Sequence, residues 1–124
     1  MSAILGIGID LIEIDRVASV LERRPRFSER CFTSAEAAYC RSRVHPAQHF
    51  AARFAAKEAV GKALGIGMTR WQEAEVVRGR GGAPTVILSG RCLARAGDLG
   101  VDEVLVSLTH SRGTAAAVAV LSGA

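Results

Sequence analysis

Apolar and polar positions alternate between two periods along this chain, and the changes of period mark its elements. Residues 3–14, AILGIGIDLIEI, are an isoleucine-rich run bounded by a helix signal, and predict a buried strand. Asp15 can cap the helix that follows, DRVASVLERR, which Pro25 stops. Thr33 and Glu36 in TSAE form a capping box for a helix over about 34–43. Pro46 suits the first turn of a long helix running to about Leu64, ended by Gly65 and Gly67. EAEVVRG and PTVILSG read as two strands around the turn RGRGGAP. RCLARAGDLG reads as a short helix, and DEVLVSLTH and GTAAAVAVL as strands joined near Ser111–Gly113. The order β-α-α-α-β-β-α-β-β predicts an α+β fold, with a mostly antiparallel sheet packed against the long helix. The expected organisation is a single domain over residues 1–124.

Composition narrows the class. The chain has 124 residues, 49% of them hydrophobic, so a folded domain with a small core is expected, and an oligomer would enlarge that core. No apolar run approaches the about 20 residues that span a bilayer, and MSAILGIGID lacks the basic start of a signal peptide. Cys31, Cys40 and Cys92 are odd in number and include no CxxC. A disulfide framework or zinc site is not expected, and a reducing cytoplasm is. The net charge of +4 suggests an anionic partner such as nucleic acid, a phosphate compound or an acidic protein.

Two stretches carry candidate chemistry. In ARFAAKEAVGKALG, residues 52–65, the helical angle gathers Ala52, Ala56, Ala59 and Ala63 on one side. Phe54, Glu58 and Lys62 form a second row, with Arg53 and Lys57 beside it. The alanines allow close approach to a sheet. Glu58 and Lys62 also fit an ordinary surface ion pair. In GIGID, strand alternation puts Gly6, Gly8, Asp10 and Ile12 on one face and Ile7, Ile9 and Leu11 on the other. Two glycines beside an aspartate leave an open floor next to a carboxylate. Asp10 would then need a partner, since an unpaired buried carboxylate is costly. A salt bridge to Lys57 or Lys62 is one solution. The other is a hard divalent ion held jointly by Asp10 and Glu58, with nearby lysine and arginine on phosphates.

Other patterns are weaker. His45 and His49 have zinc-pair spacing but no third ligand is apparent. GRGGAP precedes a strand and reads as a hairpin turn, not a nucleotide loop. Ser107 and His110 lack a nucleophile elbow. At the end of its strand, His110 fits either a turn position or, with Thr109, Ser111 and Arg112, an anion site.

Three motifs in this order resemble the holo-acyl-carrier-protein synthases, the short type of 4′-phosphopantetheinyl transferase. They are GIGIDLIEIDRV at 6–17, RFAAKEAVGKALG at 53–65 and VSLTHSRGTAAAVAV at 106–120, with GGAPTVILSG at 81–90 as a further match. The resemblance implies transfer of phosphopantetheine from coenzyme A to a serine of apo acyl carrier protein, with magnesium required. It implies Asp10 and Glu58 as magnesium ligands and Lys62 on the pyrophosphate. Arg53, His110 and Ser111 would contact the coenzyme A nucleotide, and Pro84 would lie near the adenine. A homotrimer with sites between subunits is also implied. Gly61 stands where the family often has serine, and Ser111 where threonine or aspartate is frequent.

Such a transfer rests on positioning and charge neutralisation. Glu58, directly or through a water, is the expected base for the serine proton. Arg16, Arg23 and Arg24 lie on or beside one face of the first helix and are the expected dock for an acidic carrier protein. A nucleic-acid-binding module competes through the net charge and RGRGG, but at 5% aromatics stacking platforms are scarce. A carrier-binding scaffold without activity is the third class. No nucleic-acid or membrane partner is expected.

Overall fold

The computed structural model describes residues 2–124. β1 (Ala3–Glu13) leads into α1 (Ile14–Arg23), α2 (Arg26–Cys31), α3 (Ser34–Arg41) and α4 (Pro46–Leu64). After a 3₁₀ turn at Trp71–Glu73 come β2 (Ala74–Arg78), β3 (Pro84–Leu88), α5 (Gly90–Leu99), β4 (Glu103–His110) and β5 (Thr114–Gly123). Two antiparallel sheets form, one of order β1-β5-β4 and one pairing β2 with β3. The α+β expectation stands.

Local chemistry explains most boundaries. Thr33 and Glu36 make both bonds of the capping box that opens α3, Pro46 occupies the first turn of α4, and Gly65 ends it at φ 72°. Two details differ from the sequence expectation. Asp15 lies inside the first turn of α1, where its charge suits the helix dipole, and Glu13 is the N-cap without a side-chain bond. The short helix α2 was not expected: at 6 residues it has too few turns to show a period.

α4 is buried around most of its circumference and separates two apolar clusters. One joins its alanines to Ala117, Ala119 and Leu121 of β5, and the other joins Phe50 to Phe32 and Val17. The glycines of β1 seat the helix: a Cβ on Gly8 would overlap the Ala59 carbonyl, and one on Gly6 the Ala63 carbonyl. Gly8→Ala is expected to destabilise the protein by about 1–3 kcal/mol, because backbone on both sides must shift. Urea unfolding measures this, and an unchanged midpoint would show that α4 is not seated on β1 as described.

The expected burial of the first strand holds for one face only. Ile7, Ile9 and Leu11 are 67%, 67% and 71% exposed. Register places them beside Val120, Val118 and Ala116 of β5, and beyond these lie Leu105, Ser107 and Thr109 of β4. The outer face of the three-stranded sheet is thus an apolar patch uncovered by this chain, the kind of surface that marks a protein contact.

Candidate active site

Asp10 projects from the inner face of β1, and Glu58 from α4 one turn before Lys62. Both acids wall one cleft of about 310 Å³, together with Leu11, Ile12, Arg16, Val17, Val20, Phe27 and Phe54. Lys62 Nζ donates to Asp10 Oδ1 at 3.0 Å and to the Ile9 carbonyl at 2.9 Å. Lys62 is itself largely exposed, so this pair contributes little to stability and leaves the lysine free to follow an anion. Glu58 Oε1 accepts the indole N–H of Trp71 at 2.9 Å. The indole stacks on Phe54 at 19°.

Two carboxylates from distant parts of the chain sharing one cleft is a donor set for a hard cation. Among the described residues no group of three or more His, Cys, Asp or Glu could hold a metal unaided. A pair of carboxylates fits magnesium, which keeps waters and takes phosphate oxygens to complete its shell. The cysteines offer no alternative: all three are free, and burial pushes the thiols of Cys31 and Cys40 up to about 11.

Lys57 departs from its expected place among the cations facing the site. It is fully buried, and its Nζ donates to Glu36 Oε1 at 2.8 Å, Trp71 O at 3.0 Å and Ala74 O at 2.9 Å. Burial pulls its pKa below the usual lysine range, against the opposing pull of the Glu36 carboxylate. Glu36 also takes the backbone N–H groups of Thr33 and Val76. This hub ties α3, α4 and β2 together. The i, i+4 pair considered for Glu58 and Lys62 is not made: Lys62 turns to Asp10 instead.

A second cavity, of about 220 Å³, gathers Arg53, Pro84 and His110, three residues from separate motifs. Tyr39, His49, Arg78 and Thr109 are also in its wall, which contains no acid. The Arg53 guanidinium lies over the Tyr39 ring at 4.1 Å. Arg53 is buried, and its Nε has no hydrogen-bond partner among the described residues. Leaving such a donor unpaired is costly, and an anion in this acid-free cavity is one partner that would suit the arginine. Burial, then the charges of Arg43 and Arg53, lower the pKa of His49. His49 faces His110 with ring centroids 6.2 Å apart, and among the described residues no group of three or more His, Cys, Asp or Glu gathers around it. Ser111 is outside this wall; its N–H closes the β4–β5 turn on Thr114 O at 2.8 Å.

The profile of the 4′-phosphopantetheinyl transferase superfamily matches residues 6–119. This chain belongs to that family. Among curated members, the holo-[acyl-carrier-protein] synthase of Moorella thermoacetica is 53% identical over 119 residues, covering 94% of this chain and 93% of that one. The holo-[acyl-carrier-protein] synthase of Caldanaerobacter subterraneus is 38% identical, covering 94% of each. A Bacillus anthracis holo-(acyl-carrier-protein) synthase, solved in complex with CoA (3′,5′-ADP), superposes at TM-score 0.80 with 32% identity and 98% coverage of both chains.

In this phosphopantetheinyl transferase the arginines on and just after α1 line two neighbouring hollows. Arg16 is in the wall of the Asp10–Glu58 cleft. Arg23 and Arg24 edge an adjoining groove of about 660 Å³, with Arg26, Arg30, Phe27, Phe54 and Trp71. Phe27 and Phe54 are common to both walls. Sequence reading missed Arg26 and Arg30 along with α2, and Tyr39, Arg78 and Trp71 because nothing in their spacing marks them. Among the described residues, no helix is long and apolar enough to cross a membrane.

Proposed function

We propose that residues 1–124 act as one transferase domain that moves 4′-phosphopantetheine from coenzyme A to a serine of apo acyl carrier protein. The observation that carries this reading is the meeting of Asp10 and Glu58 in one cleft with Lys62 beside them. Asp10 and Glu58 would hold magnesium, which supplies charge neutralisation at the pyrophosphate. Lys62, exposed and weakly held, moves from Asp10 towards the leaving phosphate. The serine oxygen bonds to the β-phosphorus as the bridging oxygen departs with adenosine 3′,5′-bisphosphate. Glu58 takes the serine proton, directly or through a water. Arg53 and His110 bind the nucleotide's phosphate in the acid-free cavity, Pro84 lies against the adenine, and Ser111, next to His110 in sequence, is the further nucleotide contact.

The two half-sites lie at opposite edges of the three-stranded sheet. Asp10 is on β1 and His110 on β4, with β5 between them. Both cavities reach the apolar outer face, through Leu11 and Thr109 respectively. Head-to-tail packing of that face in a closed ring brings the β1 edge of one copy to the β4 edge of the next. A homotrimer completes the site in this way and covers Ile7, Ile9 and Leu11. Arg16, Arg23 and Arg24 then receive the acidic carrier protein.

The test is the intact mass of an apo carrier protein incubated with this chain, coenzyme A and magnesium. A gain of one phosphopantetheine group is expected, at an initial rate that falls as salt screens the arginines. No gain with a carrier that another transferase loads would sink the reading, and a salt-independent rate would sink the docking assignment.

A further inference from the structure

The two carboxylates of the cleft have unlike companions. Asp10 is met by a lysine that is charged and largely exposed. Glu58 is met by an indole N–H that is uncharged and part-buried. Tryptophan donates one hydrogen bond and accepts none, so it satisfies a carboxylate oxygen without cancelling its charge. A second lysine there would compete with a cation for Glu58, whereas an indole does not.

Trp71 is also held from two sides. Its carbonyl accepts Lys57 Nζ at 3.0 Å, and Lys57 is fixed by Glu36 and Ala74 O. Its ring stacks on Phe54, one turn before Glu58 on α4. The indole therefore lies along the same helix face as the carboxylate it holds. A half-buried glutamate otherwise samples several rotamers, and ordering it on binding costs free energy. Among the described residues, Oε2 of Glu58 accepts no hydrogen bond.

We propose that Trp71 is a positioning residue for the reaction, its N–H pinning Oε1 of Glu58 so that Oε2 faces the cation beside Asp10. The inference rests on the reading of Asp10 and Glu58 as metal ligands and adds the residue that orients one of them. Outer partners of this kind typically change metal affinity by about 10–100-fold when removed.

Trp71 is the only tryptophan in the chain, so it gives a single indole ¹⁵N–¹H resonance in the full-length protein. Glu58→Gln is expected to move that resonance upfield without metal, as the charge-assisted bond weakens. Magnesium chloride added to the unsubstituted protein is expected to shift it saturably. Trp71→Phe keeps the ring and loses the donor. It is expected to weaken magnesium binding about tenfold by calorimetry and to lower turnover at limiting magnesium, with turnover recovering at high magnesium. Glu58→Gln is not expected to recover.

The outcomes separate the two claims. If Asp10→Asn and Glu58→Gln weaken magnesium binding but folded Trp71→Phe does not, the positioning role is wrong and the ligand assignment stands. If neither acidic variant changes magnesium affinity, the ligand assignment fails and this inference falls with it. Should Trp71→Phe fail to fold, an indole resonance unmoved both by Glu58→Gln and by magnesium overturns the proposal on its own.

Discussion

Replacing Glu58 with glutamine is expected to cut transfer to acyl carrier protein by about 10³-fold, equivalent to about 4 kcal/mol of lost transition-state stabilisation. Glutamine has the same shape, and its amide oxygen still accepts the Trp71 N–H, so the fold should survive. What disappears is one of two negative charges in the cleft, and with it, on the proposed mechanism, both a cation ligand and the acceptor for the serine proton. The acid-free cavity around Arg53 is untouched, so affinity for adenosine 3′,5′-bisphosphate should change less than about threefold, below ~0.7 kcal/mol. Steady-state rates and nucleotide calorimetry on the same preparation separate the two effects. Turnover within tenfold of the parent would remove Glu58 from the chemistry.

The same variant tests the bipartite arrangement. Arg53→Ala damages the acid-free cavity proposed for the nucleotide but leaves the acidic cleft intact. If each site combines the β1 edge of one copy with the β4 edge of another, mixed and reassembled subunits of the two inactive variants recover activity. If both halves serve one site within a single chain, the mixture stays as inactive as its components.

The largest stability effect is expected at Lys57, which faces no ligand. Lys57→Met should destabilise the protein by about 3–5 kcal/mol, because it leaves the Glu36 carboxylate buried without its cation. It also strips a donor from the Trp71 and Ala74 carbonyls. Urea unfolding reads the loss directly. A double change, Lys57→Met with Glu36→Gln, removes the stranded charge and should recover part of it; the two losses are not additive, since the residues touch. A loss under about 1 kcal/mol for Lys57→Met would show that this buried pair does not hold the fold. The prediction also bears on function, since Lys57 fixes the backbone that carries Trp71.

Much of this arrangement was legible before any coordinates. Pro46, Gly65 and the Thr33–Glu36 box act within a turn or two of themselves, so α3 and α4 could be placed from local chemistry. The α4 alanines pointed to close approach to a sheet, and Gly6 and Gly8 to an open floor on the first strand, but that the two meet was shown only by the structure. The α2 segment escaped because it is shorter than the period that would reveal it, and Arg26 and Arg30 escaped with it.

Residue types and spacing alone offered Asp10 and Glu58 as a carboxylate pair for a hard cation with lysine and arginine near it, while the roles expected of Lys62, Arg53 and His110 came from the family resemblance. Only the tertiary structure decided which of them meet. Lys57 and Lys62 are equivalent by composition, yet one is buried against Glu36 and the other reaches Asp10, because helix angle selects neighbours but not the depth of what packs against each side. Trp71 acquired its bond to Glu58 in the same way, through a turn whose path is set by a buried lysine distant in sequence. The apolar outer sheet face, too, became visible only once the chain had folded and left it uncovered.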